Sequence, residues 1–181
     1  MDAMAYVLSK WGIAVDRTTR NPIEIPDTNR EDLAVLFREL GFQAGVEVGV
    51  ERGQYSEVLC RSNPGARLYC VDAWKAYKGY RDHVNQLKLD RFYTETTERL
   101  APFKVSIVRG FSVDVAATRF EDGSLDFVYL DGNHSFENVA ADLAAWSRKV
   151  RPGGIIAGHD FVRHRLLCRP GGRRHIRRGR A

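Results

Sequence analysis

Cysteine is scarce and odd in number. Cys60, Cys70 and Cys168 are the only three, and none has metal-ligand spacing. Disulfide scaffolds and zinc knuckles are therefore disfavoured, and a reducing, cytoplasmic setting is expected. Long hydrophobic runs are also lacking. The longest, such as Ala3 to Leu8, reach six residues, so no membrane span is expected. A secretory leader would begin with basic residues, whereas Met1-Asp2-Ala3-Met4 carries an acid and Lys10 soon breaks the apolar stretch. What is present, 181 residues with 44% hydrophobic and 28% charged, fits one globular domain with a real core.

The net charge of +5 conceals an asymmetry. Residues 162–181 hold eight arginines and no acid, which leaves residues 1–161 at net −3. A basic tail can meet phosphate backbones or anionic surfaces. This one has no apolar period, so a solvated, disordered tail is the expectation, and nucleic acid is not an expected partner of the acidic body. The tail is also rich in Arg, Gly, Pro and Ala, the composition a frame change in a GC-rich gene would give.

Three segments follow from this reading: an irregular lead-in over 1–27, a domain over 28–161, and the tail over 162–181. Pro22 and Pro26 mark the lead-in as extended. Thr28 to Glu31 has the spacing of a capping box, and Leu33, Leu36, Phe37 and Leu40 recur at helical spacing before Gly41. Short apolar runs at 44–49, 68–72, 105–108, 125–131 and 154–158 read as strands. Helices are expected near 53–61, 80–100 and after Ser112. Val139, Leu143, Trp146 and Val150 mark one more amphipathic face, which Arg151-Pro152-Gly153-Gly154 should end. Strands that are apolar throughout and alternate with helices predict an α/β fold, a Rossmann-like parallel sheet with helices on both faces.

In such a sheet, ligands bind beyond the carboxyl ends of the strands. Those ends carry Gly49 to Gly53, Asp72, Gly110 to Ser112, Asp131 to His134, and His159-Asp160. A dinucleotide turn, G-x-G-x-x-G, is absent, because Glu51 stands where its second glycine should be. Glu51 would repel a pyrophosphate, so a cationic or phosphate-free ligand fits better. Asp72 could accept both hydroxyls of a ribose, and Trp74 could pack on the nucleoside. Each residue has a plainer reading as well: a strand-to-helix turn for the glycines, a cap for Asp72, core packing for Trp74. Tyr80, Arg81 and His83 stand where a substrate wall could form, though a solvated face is the simpler reading.

Four blocks, Val46 to Ser56, Val71 to Trp74, Leu125 to Glu137 with Asp142-Leu143, and Pro152 to Phe161, resemble class I S-adenosylmethionine-dependent methyltransferases. More narrowly, the chain resembles methyltransferase domain family 24, relatives of macrocin-type sugar O-methyltransferases. The resemblance spans about residues 28–161. It implies that Glu47 faces the methionine end, that Gly49 and Gly53 shape the loop beneath it, and that Asp72 holds the ribose. It places Gly110, Phe111 and Ser112 near the adenine and Asp131 beside the sulfonium. Carboxylates around a sulfonium agree with simple Coulomb attraction.

Methyl transfer needs an aligned nucleophile and an acceptor for its proton. His134 and His159, with Asp131, are the candidate catalytic residues, since imidazole exchanges protons near neutrality. Their plainer reading is that both rings tie strand ends to following segments. Macrocin-type relatives imply a magnesium ion at Asp131 and Asp160, but His159 and Asn133 stand where further acids would be, and magnesium prefers oxygen ligands. The expected function is S-adenosylmethionine-dependent methylation of a small-molecule acceptor, at oxygen. The alternatives are a cofactor-binding remnant without turnover, a nucleotide-dependent oxidoreductase and a nucleic-acid binder. The class I fold has two further strands, which the sequence lacks, so the fifth strand should present an open edge that a second copy could cover.

Overall fold

The structure is a computed structural model that describes residues 2–19, 22–77 and 85–159. Along the chain run α1 (Ala3–Lys10), α2 (Arg30–Glu39), β1 (Ala44–Val48), α3 (Gln54–Ser62), β2 (Arg67–Asp72) and α4 (Gln86–Leu100). There follow β3 (Val105–Arg109), α5 (Ser112–Arg119), β4 (Leu125–Leu130), α6 (Phe136–Ser147) and β5 (Val150–Gly158). The five strands form one parallel sheet in the order β3-β2-β1-β4-β5. This is the expected Rossmann-like α/β fold. Strand order reverses between β1 and β4, which opens a crevice at their carboxyl ends.

Alternation sorts the strand side chains between two cores. On one face Leu68, Cys70, Phe127 and Tyr129 pack beneath α2, α3 and α4, with Phe37 stacked on Phe127 at a centroid distance of 4.0 Å. On the other, Val46, Val48, Val71 and Val128 pack beneath α5 and α6 with Trp146 at their centre. Each large side chain so buried stabilises the fold by roughly 1.5–3 kcal/mol. Asp126 joins three strands at the opposite rim from the crevice. Its Oδ2 accepts the Gln43 and Ala44 amides at 2.6 and 2.9 Å, and its Oδ1 accepts Arg151 Nε at 2.6 Å.

Several local expectations need correction. The lead-in is not wholly irregular, because Asp2 caps α1 by accepting from the Met4 and Ala5 amides. The cap of α2 falls one residue later than expected, on Asn29 with Asp32 as its reciprocal partner, while the Thr28 hydroxyl donates to the Ile25 carbonyl. Helix α6 ends at Ser147, so Val150 belongs to β5 rather than to the helical face. The Arg151-Pro152-Gly153-Gly154 segment is not a turn before the strand but an irregular part of it, at a register shift against β4. Gly154 permits this, since a Cβ there would lie 2.4 Å from the Asp126 carbonyl. Among the described residues β5 is the last strand on its side of the sheet, and α1 touches it. Tyr80, Arg81, His83, Asp160 and the whole of 162–181 lie outside the described residues.

Candidate active site

The crevice is walled by the segments that leave β1, β2, β3 and β4. Backbone bonds fix these exits to neighbouring strands: Gly49 N donates to Val71 O, Gly110 N to Asp72 O, and Asp131 N to Val48 O, at 2.8–2.9 Å. Gly49 turns with φ +87°, and a Cβ there would sit 2.1 Å from the Asp131 carbonyl oxygen, so the β1 and β4 exits touch backbone to backbone. Glu51 and Trp74 also adopt left-handed backbone, φ 51° and 40°, which is rare for a tryptophan. The two hold each other. Glu51 N donates to Asp72 Oδ2 at 2.9 Å, Trp74 N donates to Asp72 Oδ1 at 2.8 Å, and Trp74 Nε1 donates to Glu51 O at 2.8 Å. Thr96 of α4 adds its hydroxyl to the same Glu51 carbonyl at 3.0 Å.

The resulting cleft is lined by Gly49, Asp72, Gly110, Phe111 and Ser112, five of the residues picked from the sequence. Burial raises the Asp72 carboxyl pKa, against the pull of the amides that bond it. The cleft holds about 170 Å³, less than the roughly 300–1,000 Å³ of ordinary ligand sites. Tyr77 spans it, its hydroxyl accepting from Asn133 Nδ2 at 3.0 Å and its ring meeting Phe111 edge-on at 5.4 Å.

Glu47 does not line this cleft. It is 1% exposed on β1 and bonded by the Ser56 hydroxyl of α3. Loss of solvent pushes its pKa up to about 8; Ser56 opposes the shift, and Asp131 and Asp72 add to it. Gly53 stands apart from the cleft too. A Cβ there would meet Thr96 and Leu100, so its smallness serves the packing of α3 on α4. Trp74 is fully buried against Tyr93, which is the core-packing reading.

Asp131 lies between two imidazoles. His134 Nε2 is 3.6 Å and His159 Nδ1 is 3.5 Å from the same oxygen, Asp131 Oδ1. The sequence-picked catalytic trio therefore converges. Beside it, a second cleft of about 330 Å³ lies between α6 and β5, lined by Leu130, Val139, Leu143, Ile156, His134 and His159. Among the described residues no group of three or more His, Cys, Asp or Glu is placed to hold a metal ion. Of the pair expected to bind magnesium, only Asp131 is described.

One residue escaped sequence reasoning. Asp142 lines both clefts, is 8% exposed, and has its pKa raised by burial while the Ser112 hydroxyl bonds it. Ser112 in turn accepts Trp146 Nε1 at 2.8 Å. The available signal was an acid inside an apolar stripe, three residues after Val139 and four before Trp146. A larger cavity, about 600 Å³, lies between α1, α2 and the middle of β5. It is mostly apolar, and the two carboxylates on it, Asp2 and Asp32, serve as helix caps.

The model of a methyltransferase domain family, Methyltransf_24, matches residues 46–161. The chain belongs to this family. The methyltransferase domain shows 20% identity over 118 residues, 65% of the chain, to the protein y4gI of Sinorhizobium fredii, of which it spans 12%. Solved structures share its fold. One is the O-methyltransferase TomG of Streptomyces achromogenes, solved with SAM, at TM-score 0.54 and 17% identity, covering 87% of this chain and 65% of that one. Another is the SAH-bound methyltransferase PaMTH1 of Podospora anserina, at TM-score 0.51 and 11% identity, covering 86% and 61%. The chain thus spans under two thirds of these neighbours' length. Among the described residues no helix is long and apolar enough to cross a membrane.

Proposed function

We propose that this methyltransferase domain transfers a methyl group from S-adenosylmethionine to a hydroxyl of a small-molecule acceptor. The observation that carries the reading is the gathering of Asp72, Gly110, Phe111 and Ser112 around the Gly49 turn at the switch in strand order, where the Asp131 backbone meets that turn. Asp131 beside the crevice suits a ligand with a cationic centre, and Asp72 suits one that carries a ribose. The SAM and SAH held by TomG and PaMTH1 support the same choice.

The donor supplies an electrophilic methyl on a sulfonium. The acceptor oxygen forms a bond to that methyl as the carbon–sulfur bond breaks, and its electron pair passes to sulfur, leaving a neutral thioether. Asp72 holds the ribose hydroxyls through its outer lone pairs, its inner ones being taken by Glu51 and Trp74 amides. Phe111 and Ser112 face the base. The acceptor proton passes to His134 or His159, and the imidazolium so formed is stabilised by Asp131. The described donors, the Asp131 carboxylate and two imidazoles, do not suit magnesium, which prefers oxygen ligands.

Calorimetry with S-adenosylmethionine tests this. The wild-type chain should bind, and Asp72→Ala should lose at least about tenfold in affinity, the scale of hydrogen bonds to a charged group. Full affinity in a folded Asp72→Ala variant overturns the ribose contact. A second reading is a cofactor-binding domain without turnover. S-adenosylhomocysteine release across an acceptor panel separates the two. We also propose that a second copy covers the edge of β5, which light scattering of the purified chain would reveal as a dimer. Cys60 and Cys70 are free and buried, with their thiol pKa values pushed up by burial.

A further inference from the structure

Helix α6 carries an apolar stripe that the core uses only in part. Trp146 is fully buried among Val46, Val71 and Val128. Leu143 and Val139, one and two turns earlier on the same side, are 44% and 39% exposed. A single exposed apolar side chain is ordinary, but these two are neighbours and wall one hollow. With Leu130 and Ile156 they line the cleft of about 330 Å³ between α6 and β5. That volume lies within the roughly 300–1,000 Å³ of ordinary ligand sites.

The cleft has a polar end and an apolar end. Helix α6 starts at the carboxyl rim of the sheet and runs back over it. At the rim stand His134 and His159, the two imidazoles that flank Asp131. The apolar side chains follow below them. No lysine or arginine is among the described residues that line the cleft, and the carboxylates of Asp131 and Asp142 oppose an anionic occupant. Gly132, Asn133 and Asp142 line both this cleft and the nucleoside cleft, so the two hollows adjoin at the turn after β4. A donor in one and an acceptor in the other would be neighbours across that turn.

We propose that the methyl acceptor is an uncharged molecule with an apolar body of about one ring, seated against Val139, Leu143 and Ile156 with its hydroxyl at His134 and His159. This deepens the methyltransferase reading and rests on it. The imidazoles orient the hydroxyl, and the apolar stripe of α6 sets the specificity.

The test is calorimetry on the full chain saturated with S-adenosylhomocysteine. The probes are 4-methylphenol, 4-ethylphenol, 4-propylphenol and the anionic 3-(4-hydroxyphenyl)propanoate. Affinity should rise about threefold to fourfold with each added methylene, and the propanoate should bind about tenfold or more weaker than 4-propylphenol. Leu143→Gln should weaken 4-propylphenol by about tenfold and flatten the series. Its S-adenosylhomocysteine affinity should be unchanged, which also shows that the variant is folded. Leu87→Gln, at an exposed leucine of α4 outside both clefts, should leave the series as it is. A flat series in the wild-type chain, a propanoate bound as tightly as 4-propylphenol, or a slope that survives Leu143→Gln overturns the proposal. So does a dimer that Leu143→Gln dissolves, because a second copy then fills the cleft. A wild-type chain that fails to bind S-adenosylhomocysteine overturns the cofactor reading itself, and the acceptor proposal falls with it.

Discussion

Replacing Glu47 by glutamine should abolish most of the change in folding stability between about pH 4.5 and 8. Glu47 is fully enclosed, and its folded pKa of about 8 lies above the ordinary 4.5. The folded state therefore holds a proton that the unfolded state has lost across this interval. By linkage, this group's contribution is full below the unfolded value and declines as pH rises to the folded one, after which it is flat. At about 1.36 kcal/mol per pH unit, the interval is worth on the order of 5 kcal/mol. The Glu47→Gln variant keeps the size of the side chain and a hydrogen bond to Ser56 but carries no titrating proton there. It should match wild type within about 1 kcal/mol near pH 5 and exceed it by several kcal/mol near pH 9. With a urea slope of about 1–3 kcal/mol per molar, the midpoints should part by about 1.5–5 M at the alkaline end. The assay is urea unfolding followed by fluorescence of buried Trp74 and Trp146. Parallel pH profiles for the two proteins would refute the claim that Glu47 is protonated when folded.

Gly49→Ala should cost about 1–2 kcal/mol from its left-handed backbone alone. The clash with the Asp131 carbonyl should add to this and lower S-adenosylhomocysteine affinity, read by thermal unfolding with and without ligand. Trp146→Ala should destabilise by about 3–5 kcal/mol and release the Ser112 hydroxyl, with the loss measured by chemical denaturation. Asp126→Asn should destabilise by about 2–4 kcal/mol through weakened bonds to two amides and Arg151. Burial alone would raise the Asp126 pKa, but those partners outweigh it and hold the pKa below the ordinary value. Its contribution is therefore present above the unfolded value and lost as pH falls through the folded one, so wild type and variant should converge in acid.

The sheet was legible because each strand is a short apolar run, and the site because acids and histidines gather at one end of those runs. Asp72, Phe111, Ser112, Asp131, His134 and His159 fall where alternation and strand-end logic put them. Trp74 misled because a tryptophan after a strand-end acid reads as a platform for a base, whereas its indole nitrogen is committed to the Glu51 carbonyl. Gly53 misled for a related reason, since a small residue at a helix start serves α4 as well as it would serve a ligand. Asp142 escaped because periodicity arguments score apolar positions, and an acid among them looks like an interruption. The α1 helix escaped because eight residues with a single cap give little signal beside two prolines. The extent of β5 was hidden by Arg-Pro-Gly-Gly, which has turn chemistry and is held in the strand by Asp126, a long-range partner.

The interlock at Glu51 has a thermodynamic consequence. One peptide carbonyl receives both the indole of the β2 exit and a hydroxyl from α4, and its own amide is spent on Asp72. The exits of β1 and β2 are thus cast as one piece before any ligand arrives. Little ordering entropy is left for association to consume, so the free protein should already exchange the Glu51 and Trp74 amide hydrogens slowly, and occupancy should slow them only a little further.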